Sequence, residues 1–321
     1  MIVLIGSKYD ISTFNVSRWL YKLESNFTCL FSEEFNSLNS LKITNQNKKI
    51  VINDLNIDNA SVIWHRRGRL RHLPNDLNNR GNLTSYLKKE EDALIKSLEL
   101  ILNETTIYVG SYIKEVENYK IYNLIKAKEC GLAVPNTLVT TSKDELSRFY
   151  YENDEKIISK DLRYPVDIIS DKEHISSCGT FQVKYKDIDM LEDNFAPILV
   201  QNLIKKEFEI RVFVFLDQLY AMAIFSQNNT QTIIDFRNYD NEKPNRCVPF
   251  LLPEKIQLKI LEFCSKISLN SGSVDLIYTK KGEYVFLEIN PMGQFDWVSK
   301  NCNYYIDKKI ANSLNSYEKN N

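Results

Sequence analysis

The tightest constraint on the fold lies near the end of the chain, where two apolar runs, 273–278 and 284–289, flank Lys281-Gly282. Strand-like runs joined by a short glycine-bearing turn predict a β-hairpin. In that hairpin Asp275 faces Glu288 across the strands, with Asn290 just beyond. Two carboxylates side by side on an apolar sheet repel and lose hydration, and a cation between them offsets both costs. Hard oxygen donors suit magnesium, which keeps waters and completes its shell with substrate phosphates. Two unrelated surface carboxylates are the bland alternative, and the hairpin alone leaves both readings open.

With 321 residues and 43% hydrophobic content, the chain can bury more than one core, in two or three subdomains. Its 41 basic and 42 acidic side chains nearly cancel, and no long block carries one sign. That balance argues against a nucleic-acid-coating protein, so an anionic ligand must be met by local charges. Cys29, Cys130, Cys178, Cys247, Cys264 and Cys302 stand far apart without a CxxC pair, which fits reduced thiols in a cytoplasm better than a metal knuckle or disulfide framework. The opening apolar run up to Gly6 is too short for a signal-peptide core, and no run of about 18 apolar residues offers a membrane span. A soluble, cytoplasmic protein is expected.

Strand and helix signals alternate over the first hundred or so residues: 2–5, 13–23, 62–64, a helical spacing over 83–102, and 107–109. This predicts a small α/β domain. A helix over 122–130 stopped by Gly131 follows, then an extended 135–140, a helix starting at Thr141 or Ser142, with Ser142 and Glu145 at capping-box spacing, and a strand over 156–160. The runs 198–203, 209–216, 219–225, 273–278 and 284–289 read as one largely antiparallel sheet crossed by a helix over 254–269.

Asp275 followed by Glu288-Ile289-Asn290 at the end of an apolar strand resembles the magnesium site of ATP-grasp ligases. Further residues stand in the order of that family's pattern, in particular that of the ribosomal-protein glutamate ligase type: Lys120, Leu124, Gly131, Pro135 and Thr137, then Lys160 closing an apolar strand. Either lysine alone would read as solvated decoration. The resemblance implies that Lys120 and Lys160 bind the nucleotide, that Gln201, Asn202 and Leu203 form the hinge around adenine, and that Glu209 accepts the ribose hydroxyls. It places Arg211 beside the reacting phosphate and acyl group, where the strand alone would allow two wet side chains.

A narrower resemblance is carried by Ile63-Trp64-His65-Arg66-Arg67, Asp235-Phe236-Arg237, Pro244-Asn245-Arg246, and Gly293-Gln294-Phe295 with Cys302-Asn303-Tyr304-Tyr305. These look like the microviridin-type graspetide ligases, nearest the grasp-with-spasm maturases, over about the whole chain. The resemblance implies an α/β (α+β) ATP-grasp fold with an N-terminal α/β domain over 1–115, a central subdomain over 116–200 holding the ATP lid and leader docking, and a C-terminal antiparallel-sheet subdomain over 201–321 with the metal site. It implies ATP and magnesium as cofactors, a precursor peptide as partner, and a homodimer. Core carboxylates would be activated as acyl phosphates and joined to Thr or Ser hydroxyls, or to Lys amines.

Arg237 and Arg246 are then candidates for holding the γ-phosphate or acyl phosphate. Arg66 and Arg67 read either as ligands or as a structural ion pair, and His65 has no spacing partner for a metal. One departure from the family is the absence of glycine over 161–168, which moves the expected flap toward Gly179-Thr180. Competing readings are a ligase adding amino acids to a protein tail or small acid, a nucleotide-binding regulator without turnover, and a scaffold with no nucleotide site.

Overall fold

The computed structural model describes residues 1–74, 81–163, 167–169, 174–176, 179–227, 232–236 and 242–319. The amino-terminal part runs β1 (Ile2–Gly6), α1 (Ile11–Lys22), β2 (Phe27–Phe31), β3 (Leu38–Ile43), β4 (Lys48–Ile52), β5 (Leu55–Asn56), β6 (Val62–His65), α2 (Asn82–Thr105), β7 (Ile107–Val109) and α3 (Tyr112–Val116). Strands β2-β1-β6-β7 form a parallel sheet, and β3-β4-β5 an antiparallel one. All five residues of β1 are buried, as expected for a parallel strand covered on both faces. Asp10 caps α1 by accepting from the Thr13 N–H at 2.8 Å.

The next segment holds α4 (Lys120–Glu129), β8 (Thr137–Ser142), α5 (Lys143–Glu152), β9 (Ile157–Lys160), β10 (Asp167–Ile169), β11 (His174–Ser176), β12 (Phe181–Val183), α6 (Tyr185–Asp189) and β13 (Asn194–Asn202). Gly131, at φ +73°, takes the left-handed turn that ends α4. Ser142 caps α5, its Oγ accepting from the Glu145 N–H. The sheet order is β12-β9-β13-β8, all antiparallel. This corrects the grouping drawn from sequence: β13 pairs with β8 and β9 and not with the strands that follow it. Val200 turns into a separate small core with Leu146, Tyr150, Ile157 and Val183.

The remaining elements are β14 (Lys206–Phe215), β15 (Gln218–Phe225), β16 (Arg246–Phe250), α7 (Glu254–Lys266), β17 (Ser271–Thr279), β18 (Tyr284–Asn290), α8 (Asp296–Cys302) and α9 (Ile306–Lys319). An antiparallel sheet β16-β15-β14-β17-β18 results, with the expected hairpin joining its last two strands. Alternation sorts its side chains onto two faces. Ile210, Val212, Val274, Leu276 and Phe286 pack beneath α4 and α7, where Phe263 meets Phe286 edge to face at 4.9 Å. On the other face Phe213, Phe215 and Met222 join Leu4 and Trp64 of the first sheet and Val298, Ile310 and Leu314 of α8 and α9 in one core. Polar Glu209, Arg211 and Asp275 continue that second face past the end of the core. No helix among the described residues is long and apolar enough to cross a membrane.

Candidate active site

Where this polar end of the five-stranded sheet meets the central sheet, a cleft opens between them. Lys160, Gln201, Asn202, Leu203, Glu209, Asp275 and Glu288 all line it. Residues far apart in sequence are thus brought to one cleft, Lys160, Gln201 and Asn202 from the central sheet and Glu209, Asp275 and Glu288 from the five-stranded one. Asp275 lies directly opposite Glu288 in the hairpin and directly opposite Arg211 on its other side. A bulge follows, with Leu276 opposite Phe286, so Leu287 is the extra residue and turns with Glu288 toward the cleft.

Each carboxylate of the pair has a cation. Arg211 Nη1 donates to Asp275 at 2.9 Å (Oδ1) and 2.7 Å (Oδ2), with both side chains buried. Lys120, the first residue of α4, places Nζ 3.9 Å from Glu288 Oε2 and donates to the Asp161 carbonyl at 2.9 Å. Asn290 is exposed at the strand end, its Oδ1 accepting from the Met292 N–H at 3.1 Å. Carboxylates and an amide oxygen are hard donors of the kind magnesium takes, and the negative charge of the two carboxylates is met by Arg211 and Lys120.

The 201–203 stretch, expected to act as the hinge, is already tied into the protein. Gln201 Nε2 donates to Thr137 Oγ1 at 3.1 Å, the Asn202 N–H to Asn136 O at 3.1 Å, and the Leu203 N–H to Lys156 O at 2.8 Å. The Asn202 and Leu203 N–H groups are therefore already used within the protein. Burial raises the Glu209 carboxyl above its ordinary range, opposed by Lys206 and by a hydrogen bond from Ser226. Thr180, in the segment expected to act as the flap, is buried and lines the cleft.

Two arginines fare differently. Arg246 sits exposed on the edge strand β16, its guanidinium 5.5 Å from the Phe225 ring, and is not among the residues lining the cleft. Arg237 lies outside the described residues.

Of the alternatives weighed for Arg66, the geometry favours the structural one. Its guanidinium donates to Met292 O at 3.1 Å and Gln294 Oε1 at 2.9 Å, and Nε lies 3.4 Å from Asp10 Oδ2. It ties the end of β6 to the loop just after Asn290. Arg67 is half-exposed, 3.9 Å from Asp10. His65 is buried, and burial pulls its pKa down to about 4. Sequence reasoning missed Lys206, which binds Glu209 inside the cleft. Its only signal is a lysine three residues before a glutamate, a spacing that puts the two on opposite faces of a regular strand.

The profile of the RimK-like ATP-grasp domain matches residues 120–314. No curated protein sequence matches the chain. Among solved structures, a RiPP-associated ATP-grasp ligase from Chryseobacterium gregarium, in complex with ADP and a leader and core peptide, superposes with a TM-score of 0.82 at 22% identity, over 98% of this chain and 95% of that one. Macrocyclase MdnC from Microcystis aeruginosa MRC, bound with precursor peptide MdnA, gives a TM-score of 0.79 at 25% identity over 98% and 99% of the two chains. The ATP-grasp ligase PsnB, complexed with minimal precursor, Mg and ADP, gives 0.78 at 18% identity over 99% and 97%.

Proposed function

The chain belongs to the RimK-like ATP-grasp family, and from that premise we propose that it ties rings into a ribosomal precursor peptide at the expense of ATP. The observation that carries this reading is the cross-strand pair Asp275 and Glu288, set into the wall of a cleft with Lys160, Glu209 and the hinge, in a chain aligned nearly end to end with peptide-bound ligases. Asp275, Glu288 and Asn290 would hold magnesium, which when bound neutralises charge on the β and γ phosphates. Lys120 and Lys160 add positive charge at the phosphates, and Glu209 takes the ribose.

A core Asp or Glu carboxylate attacks the γ-phosphorus, giving an acyl phosphate and ADP. A Ser or Thr hydroxyl, or a Lys amine, of the same peptide then attacks the acyl carbon and expels phosphate, with the proton passing to solvent or phosphate. Since both partners sit on one bound chain, closure gains from proximity and calls for no strong base. Arg211, which holds Asp275 here, would steady the oxyanion.

The same reading assigns 1–115 to an N-terminal domain, 116–200 to the lid with leader docking, and 201–321 to the catalytic sheet. It takes the protein to be a cytoplasmic homodimer, which analytical ultracentrifugation checks. The central test is to incubate the protein with ATP, magnesium and a Thr, Ser, Asp and Glu-rich peptide encoded beside it. Mass spectrometry then shows the loss of one water per ring. A gain of mass supports ligation of a free amino acid, and an unchanged peptide with no ADP formed overturns the proposal.

A further inference from the structure

Glu209 is a carboxylate with one oxygen fixed and the other open. Lys206 Nζ and Ser226 Oγ both bind its Oε1, Ser226 at 2.8 Å, and among the described residues nothing is bonded to Oε2. Lys206 and Glu209 are only 8% and 5% exposed, and both line the cleft. The register of β14 against β17 slips at this point, Lys206 standing opposite Thr279 but Phe208 opposite Tyr278. Glu207, which is exposed, is the extra residue of a bulge, and the bulge turns Lys206 onto the face of Glu209. A buried ion pair adds little stability over apolar residues of the same size, because both charges give up water. Building one from an irregular strand at the wall of a binding cleft is better accounted for by what the pair presents to a ligand.

We propose that Lys206 is the positioning residue for ribose recognition: it keeps Glu209 charged and fixed by Oε1, so that Oε2 accepts from a ribose hydroxyl of the bound nucleotide. The inference rests on the reading of Glu209 as the ribose acceptor given above. Lys206 acts through Glu209, and contact between its own ammonium and the nucleotide is not required.

Calorimetric titration with ADP and with 2′,3′-dideoxy-ADP, on wild type, E209Q, K206M and K206R, tests this without any turnover. The wild type is expected to prefer ADP by about tenfold or more, the span of a hydrogen bond to a charged group. E209Q and K206M are expected to lose most of that preference while keeping the affinity for the dideoxy analogue, and K206R to restore part of it. A K206M protein with undiminished preference overturns the proposal and leaves the ribose reading standing. A wild type indifferent to the missing hydroxyls overturns both. Should K206M fail to fold, the double variant K206M/E209Q removes both charges together, and it is expected to show the same preference as E209Q alone. A further loss beyond E209Q would show that Lys206 acts independently of Glu209, against the proposal.

Discussion

Arg211 grips Asp275 from the neighbouring strand with one nitrogen shared between both carboxylate oxygens, at 2.9 and 2.7 Å, and both side chains are buried. The pair therefore stands in low dielectric, where losing one member costs more than the pair contributes. Replacing Arg211 by Met leaves the Asp275 charge without its strongest described partner, and we expect about 3 kcal/mol of lost stability, read from urea unfolding. The double variant R211M/D275L removes both charges and is expected to recover most of that loss. Ring formation should be abolished in both.

Metal dependence separates binding from folding. Ligand that binds only the folded state raises stability by about 2.7 kcal/mol at a hundredfold excess over its dissociation constant. Wild type is therefore expected to melt higher with ADP and magnesium than with ADP and EDTA, while EDTA alone leaves the melt of the ligand-free protein unchanged. In D275A and E288A the two ADP melts should coincide. A magnesium-dependent shift that survives both substitutions would place the ion elsewhere.

Much of the geometry around this cleft is legible in the sequence, and the reasons the rest is not are physical. Two apolar runs around Lys281-Gly282 signal the hairpin, but the register beside its turn would set Asp275 opposite Leu287, and it is the bulge at Leu287 that brings Glu288 opposite Asp275. Capping by Ser142 and the stop at Gly131 are local. The sheet to which β13 belongs is decided by partners some 40 to 60 residues away, Lys160 and Val139 against Leu199, and no local pattern encodes that choice. The β3 to β5 sheet went unseen because its strands are short and half polar. Lys206 was hidden by a bulge, which breaks the two-residue period on which strand reading relies. Arg66 looked like a possible ligand because its acceptors, Met292 and Gln294, lie more than two hundred residues on.

His65 supplies a pH dependence with a definite sign. Its Nε2 faces the Gly68 carbonyl at 2.8 Å, which can only accept, so Nε2 carries the proton and Nδ1 accepts from the Tyr108 hydroxyl at 3.0 Å. A second proton has no place in that buried arrangement, and burial pulls the pKa from 6.5 down to about 4. Between those values the unfolded chain takes up a proton that the folded chain refuses, so this contribution to stability is lost as pH falls. Going from about pH 7 to about pH 5 is expected to cost wild type about 2 kcal/mol more than H65Q, read as the difference between their urea unfolding free energies. Equal losses in the two proteins would mean that His65 is protonated when folded.

Gly293 gives the sharpest steric test of the metal role proposed for the β17–β18 hairpin. A Cβ added there would stand 2.2 Å from both Cβ and Oγ of Ser273, a fully buried residue paired directly with Asn290. Ser273 cannot retreat, so the turn must move, and that turn carries the Gly293 N–H bond to Asn290 O at 3.0 Å and the Met292 carbonyl held by Arg66. Overpacking of this kind costs about 1–3 kcal/mol. G293A is therefore expected to unfold earlier in urea and, because Asn290 is displaced, to bind ADP with magnesium more weakly while binding ADP in EDTA as wild type does. Gly282, at the hairpin's other end, provides the control. An added Cβ there meets nothing closer than the Tyr278 hydroxyl at 3.6 Å, and the cost is confined to its φ of +84°. G282A should lose about 1 kcal/mol of stability and none of its preference for magnesium. Equal effects of the two substitutions on magnesium-dependent binding would separate Asn290 from the metal site.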